Sequence, residues 1–197
     1  MVKLILASNS PRRRQLIAGL GLDYEVRLLQ GIDESYPSHL REGDIPLYIS
    51  RQKAAAYIPS LTDDEILVTA DTIVWLNGSV LGKPASEDEA RHMLTQLSGH
   101  THQVYTGVCL TSSQQQESFA CRSDVTFATL SDEEIDYYVS HYRPMDKAGA
   151  YGIQEWIGYV GVEAIHGSFY NVMGLPVQRL YQCLKQKFNI QYNINKQ

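Results

Sequence analysis

A chain of 197 residues, 44% hydrophobic and 20% charged with a net charge of −5, suits one globular domain or two closely apposed lobes. That balance argues against a protein built to grip a nucleic-acid backbone, which needs a large basic surface. No apolar run reaches membrane-spanning length, so no membrane is expected as a partner.

A chain of this length buries a core without staples, and disorder is expected only in the polar tail after Phe188. Cys109, Cys121 and Cys183 are odd in number and form no CxxC spacing. A zinc site or disulfide framework is therefore not expected, and a reducing, cytoplasmic setting fits. The opening MVKLILASNS carries too short an apolar run for a signal peptide and reads as a buried strand.

In chain order, residues 3–7 form that first strand. Ser10-Pro11 starts a helix, with Ser as cap and Pro in the first helical position. Leu16, Ile17 and Leu20 give its apolar face, and Gly21 ends it. A second strand covers 24–29, followed by a polar loop over 30–43. Asp44 and Pro46 open a helix to about Tyr57. A compact strand over 66–70 ends at Asp71, and 72–76 and 79–81 flank the hairpin turn Asn77-Gly78. Ser86-Glu87-Asp88-Glu89 reads as a capping box for a helix that Gly99 stops. Strands over 104–110 and 118–127 form a long hairpin. Ser131-Asp132-Glu133-Glu134 is a second capping box, and its helix ends before Pro144. A glycine-rich, aromatic stretch covers 147–161, strand-like residues run to Ile165, and Pro176 opens a last helix carrying Leu180, Leu184 and Phe188. No linker separates these elements, so 1–197 reads as one domain of α/β class with a mixed twisted sheet and flanking helices.

Several places carry chemistry. In Ser8-Asn9-Ser10-Pro11-Arg12-Arg13-Arg14 a strand turns into a helix N-terminus, where free N–H groups, hydroxyls and guanidinium forks suit an anion. A basic helix start with Ser10 as plain cap is the other reading. Asp71, after an apolar strand, lies where open α/β sheets place ligands and can hold a divalent ion or take a proton from water; it can also simply cap a turn. Glu34 by itself reads as a solvated loop carboxylate. Lys53, on a helix, and Lys83, after the hairpin, are ordinary surface lysines when taken alone. Gly82-Lys83-Pro84 is not the end of a P-loop, because a residue is missing between the glycines and Pro stands where Ser or Thr should hold magnesium. In Lys147-Ala148-Gly149-Ala150-Tyr151-Gly152-Ile153-Gln154 the glycines allow close backbone approach, and the Gln154 amide both donates and accepts. A tight turn with exposed Gln154 is the alternative. His100 and His102 would share a strand face but lack a third ligand.

Taken together, Leu6-Ala7-Ser8-Asn9-Ser10-Pro11-Arg12-Arg13, Gly31-Ile32-Asp33-Glu34, Gln52-Lys53-Ala54 and Ala70-Asp71-Thr72-Ile73-Val74 resemble motifs of the Maf family of nucleotide pyrophosphatases. So do Gly82-Lys83-Pro84, Tyr105-Thr106-Gly107, the stretch 146–154, and the stretch 167–176 that ends Gly174-Leu175-Pro176. The resemblance spans about residues 4–188 in order. It implies a fold like that of inosine-triphosphate pyrophosphatases (Maf/Ham1-like), two lobes around a cleft, and a homodimer. It also implies hydrolysis between the α- and β-phosphates with Mg2+ or Mn2+. Asp71 carries over as catalytic base, and Glu34 with Asp71 as metal carboxylates. Ser8, Arg13, Lys53 and Lys83 carry over as phosphate residues, and Arg12, Thr72 and Gln154 as residues of substrate choice. The stretches 147–154 and 167–171 look like the branch acting on dTTP and UTP, rather than the branch preferring 7-methyl-GTP. A nucleotide-binding regulator of septum formation is the non-enzymatic alternative. Asn9 stands where a small residue is usual, which bears on the anion turn. Glu155 stands where Gly is usual, which bears on the base-side loop.

Overall fold

The computed structural model describes residues 2–190, so most of the polar tail after Phe188 lies outside the described residues. The elements are β1 (Lys3–Leu6), α1 (Pro11–Ala18), β2 (Tyr24–Val26), α2 (Asp44–Tyr57), β3 (Glu65–Leu76), β4 (Ser79–Leu81) and α3 (Glu87–Leu97). They continue with β5 (Thr101–Thr111), β6 (Gln116–Phe127), α4 (Asp132–Tyr142), α5 (Trp156–Val160), β7 (Val162–His166), α6 (Phe169–Val172) and α7 (Val177–Lys187). Among the described residues the strands form a seven-stranded sheet in the order β2-β1-β3-β5-β6-β7, with β4 on β3. β1 pairs in parallel with β2 and β3, while β3–β4 and β6–β7 are antiparallel, so the expected mixed α/β sheet is present.

The local signals mostly act as the residues predict. Ser10 caps α1 through its side chain, and Pro11 is the first helical residue. The first helix ends earlier than expected, at a Gly19 cap, and Gly21 follows in a left-handed turn. Asn77 and Gly78 both have positive φ, the backbone a tight hairpin needs. Ser131 and Glu134 make the full capping box. Ser86 caps α3, but the Glu89 carboxylate accepts from the Ala85 N–H rather than from Ser86, so that box is incomplete.

Two further expectations need correction. The second strand is only Tyr24–Val26, not 24–29, because the backbone beyond it is bound by Tyr57: its hydroxyl donates to the Arg27 carbonyl and accepts from the Leu29 N–H. And Asp71 does not end a strand. β3 is continuous from Glu65 to Leu76, because β1 pairs with its first half and β4 with its last residues. The short helices α5 and α6 had no apolar period long enough to announce them.

The chain divides into two compact units. The first comprises residues up to Asp71, Thr106–Cys121 and those from Gly174 on; the second comprises Thr72–Tyr105 and Arg122–Met173. In the first unit, Ile5 of β1, Leu67 of β3 and Cys109 of β5 pack with Ala54 and Tyr57 of α2. α2 comes close to the sheet because Gly107 has no side chain: a Cβ there would lie 2.3 Å from the Pro46 backbone. In the second unit, His102, Phe127 and Tyr151 meet edge to face, with ring centroids 5.0–5.4 Å apart. Aromatic residues are not all core, however: Tyr159 is 83% exposed.

Candidate active site

In the first unit the site is assembled by two periodicities. Leu67, Thr69 and Asp71 alternate along β3 and share a face. Ser50 and Lys53 are three apart on α2 and also share a face. Thr69, fully buried, donates its hydroxyl to the Ser50 carbonyl at 2.7 Å. One step further along each element, Lys53 Nζ lies 2.8 Å from Asp71 Oδ1. The same ammonium is 3.0 Å from Glu34 Oε1. Lys53 and Asp71 are largely buried, whereas Glu34 is 55% exposed and comes from the loop ahead of α2. Tyr57 holds the start of that loop, accepting from the Leu29 N–H and donating to the Arg27 carbonyl.

The turn after β1 is anchored beside the same strand. The Ala7 N–H donates to the Val68 carbonyl, and pairing of β1 stops at Leu6 opposite Val68. Asp71 thus lies in mid-strand, yet past the carboxyl end of β1, where ligands of such sheets gather. Ser8 is buried, and its Oγ accepts from the Ser10 N–H. Arg13 reaches into the unit: Nε donates to the Gly174 carbonyl and Nη1 to the Ala70 carbonyl, both at 2.8 Å. Burial pulls its guanidinium below the usual value, and the carboxylates of Asp71 and Glu34 oppose that shift. Arg13 therefore pins the residue before Asp71 and places fixed positive charge beside the carboxylates. Asn9 is exposed and accepts from Arg14 Nη2 at 3.0 Å, so it does not enter the turn. Arg12 is half-buried.

In the second unit Thr72 is half-buried and Val74, two residues on, packs against Gly149. Gly149 has φ +67° and no room for a Cβ, which would meet Val74 at 2.9 Å. Its N–H donates to the Gly82 carbonyl, which ties the Lys83 loop to the segment that ends at Gln154. Lys83 itself is exposed, and its ammonium has no partner among the described residues. Gln154 is half-buried rather than exposed on a tight turn, and its Oε1 is shielded from solvent without a hydrogen-bond partner. Beside it, Glu155 is bound by Tyr138 and Lys147. Sequence reasoning missed Tyr138 altogether and treated Lys147 only as the start of a segment; the Glu in place of Gly at 155 was the available signal. His102 is core: Nε2 contacts the Tyr151 hydroxyl at 2.7 Å, and no group of three His, Cys, Asp or Glu side chains able to hold a metal occurs among the described residues.

The carboxylates of Asp71 and Glu34 converge on a single cation position. Hard divalent ions such as Mg2+ are commonly bound by one or two carboxylates, with phosphate and water completing the shell. The donor set therefore fits Mg2+ or Mn2+ accompanied by a phosphorylated ligand.

A capped helix start, a half-buried arginine and carboxylates sharing a cation, set on a mixed α/β sheet, fit the class of proteins that handle phosphate esters. Comparison with known proteins narrows this class. The family model of the Maf-like proteins matches residues 3–187, and the chain belongs to that family. It is 64% identical over 184 residues to the dTTP/UTP pyrophosphatase of Phocaeicola vulgatus, covering 93% of this chain and 95% of that protein. It is 61% identical to the dTTP/UTP pyrophosphatase of Bacteroides thetaiotaomicron, with the same coverage. The solved structure of the Staphylococcus aureus Ham1 protein aligns with a TM-score of 0.43 and 16% identity, over 64% of this chain and 72% of its own.

Proposed function

We propose that this chain hydrolyses dTTP and UTP to the nucleoside monophosphate and pyrophosphate, clearing these nucleotides or modified forms of them from the cytoplasmic pool. The observation that carries the reading is the placement of Lys53 between Asp71 and Glu34, 2.8 and 3.0 Å from their oxygens. A protein that only sensed nucleotides would have no use for a largely buried carboxylate beside a second one on the same cation. Relatives 49–64% identical to this chain bear the name dTTP/UTP pyrophosphatase, which supports the substrate assignment. The homodimer rests on the family resemblance.

Asp71 takes the proton of the attacking water, and Asp71 and Glu34 are the residues that would hold a divalent ion. Lys53 gives up its carboxylate contacts for phosphate oxygens as the triphosphate arrives. Ser8 and the turn ahead of α1 accept the phosphate chain, with Arg13 supplying charge from beneath, and Lys83 takes a further phosphate oxygen. A bound Mg2+ or Mn2+ would add charge neutralisation of the phosphoryl transition state. Thr72, Arg12 and Gln154 set substrate choice. Uracil and thymine present an N3–H donor between two carbonyls, whereas cytosine presents an acceptor at N3. The Gln154 Oε1, which lacks a donor in the resting protein, is satisfied by N3–H once the carboxamide turns toward the base.

The test is release of pyrophosphate and monophosphate from dTTP, UTP, CTP, ATP, GTP and 7-methyl-GTP, with Mg2+ or Mn2+ and with chelator. Metal-dependent turnover favouring dTTP and UTP supports the reading. Preference for 7-methyl-GTP overturns the substrate assignment, and binding without turnover of any member replaces the enzyme by a regulator.

A further inference from the structure

The Gln154 carboxamide oxygen has no hydrogen-bond partner, so no hydrogen bond at that oxygen fixes the side chain and the placement of its backbone matters the more. That backbone is held from both sides by one network within the second unit. The Tyr138 hydroxyl, fully buried on α4, accepts from the Gly152 N–H at 2.9 Å, two residues before Gln154. The same hydroxyl donates to Glu155 Oε2, one residue after it. The other carboxylate oxygen, Oε1, is 3.1 Å from Lys147 Nζ, whose side chain is 8% exposed. The Glu155 N–H closes the turn onto the Gly152 carbonyl at 2.9 Å.

Two features mark this network as more than a loop closure. Glu155 occupies the N-cap position of α5, yet its carboxylate makes no cap bond and is spent on Tyr138 and Lys147. A buried lysine–carboxylate pair is also a weak source of stability, since desolvation offsets much of its attraction. Gly152 completes the fit: a Cβ there would lie 2.8 Å from the Glu155 carboxyl carbon and 3.0 Å from Lys147 Cε.

We infer that Tyr138, Glu155 and Lys147 are positioning residues for substrate choice, clamping the 152–155 turn so that Gln154 meets the base edge at a fixed point. The inference rests on Gln154 reading the base. Burial and the Glu155 carboxylate both hold the Tyr138 phenol in its protonated, donating form, in keeping with that role.

The experiment is steady-state kinetics on UTP, dTTP and CTP for the wild type, Tyr138→Phe, Gln154→Ala and the double variant, with thermal melting of each. Tyr138→Phe keeps the ring and removes only the hydroxyl. It is expected to lower the UTP-to-CTP ratio of kcat/KM by about tenfold, mainly through a higher KM for UTP, with kcat within about twofold. In the Gln154→Ala background the same change should leave the ratio where Gln154→Ala put it, because the hydroxyl acts through that side chain. Should Tyr138→Phe fail to fold, Glu155→Gln, which removes the charge facing Lys147, is read against the same expectation. A ratio unchanged by both variants overturns the inference, as does a loss fully additive with Gln154→Ala. A Gln154→Ala enzyme that keeps the wild-type ratio overturns the base-reading role itself, and with it the clamp.

Discussion

Lys53 and Asp71 are joined at 2.8 Å because Thr69 and Ser50, one step back along the strand and one turn back along the helix, are joined at 2.7 Å. The buried hydroxyl sets the register between β3 and α2, and the ion pair follows from it. Asp71→Asn preserves the shape of this contact and removes the charge and the basicity. We expect turnover to fall by about 10³-fold at saturating Mg2+ or Mn2+, with melting temperature nearly unchanged. Near-normal pyrophosphate release from the folded variant would remove Asp71 from the chemistry.

Lys53→Met leaves Asp71 and Glu34 without their shared cation. Without nucleotide, Mn2+ should then bind about tenfold more tightly, since the positive charge that competes for the two carboxylates has been removed. Turnover should fall nonetheless, because the phosphate loses its ammonium. Electron paramagnetic resonance of Mn2+ titrated into the nucleotide-free protein reads the first effect; unchanged or weaker binding would show that the ammonium does not occupy the cation position.

Gly107→Ala tests the approach of α2 to the sheet. The added methyl would meet backbone atoms of Pro46 and Leu47 at 2.3–2.4 Å, and backbone cannot turn aside as a side chain does. A loss of about 3 kcal/mol in denaturant unfolding is expected, with loss of activity because α2 carries Lys53. A variant as stable as the parent would contradict this packing.

Acid stability should depend on Glu65. Its carboxylate is held by Arg27 at 2.5 and 3.0 Å, and those hydrogen bonds bring it down from an ordinary 4.5 to about 2. A depressed carboxylate stabilises the fold above its unfolded value and loses that contribution as pH falls through the folded one. The pair's contribution is therefore complete above pH 4.5 and lost toward pH 2. Arg27→Met should cost about 2 kcal/mol at neutral pH and flatten the stability profile across that window. A profile with the same slope in the variant would assign the acid sensitivity elsewhere.

His102 should titrate far below an ordinary histidine. Burial brings it down from 6.5 to about 4, so between those values the unfolded chain takes a proton that the folded one refuses. Stability should accordingly decline as pH falls from 6.5 toward 4, and less so in His102→Phe. Following the ring proton by nuclear magnetic resonance checks the value; a midpoint near 6.5 would mean the ring is not buried as found.

Much of this protein is written in local sequence. Ser10-Pro11, Asn77-Gly78 and Ser131 through Glu134 specify a capped helix start, a tight hairpin and a capping box, because each satisfies its own backbone donors within a few residues. The run of motifs from Leu6 to Pro176 determined the family, and with it the residues to watch. Other decisions needed the third dimension. Asp71 looked like a strand end because the apolar run stops at Ala70; pairing with β1 and β4 carries β3 through it, and Lys53 and Arg13 offset its charge there. Arg13 looked like a phosphate fork, yet two of its donors hold the carbonyls of Ala70 and Gly174, 57 and 161 residues away. Gln154 and Glu155 looked like neighbours on a loop. Whether one is held and the other left without a partner depends on Tyr138 and Lys147, because a hydrogen bond joins donors and acceptors that are close in space, at any separation along the chain.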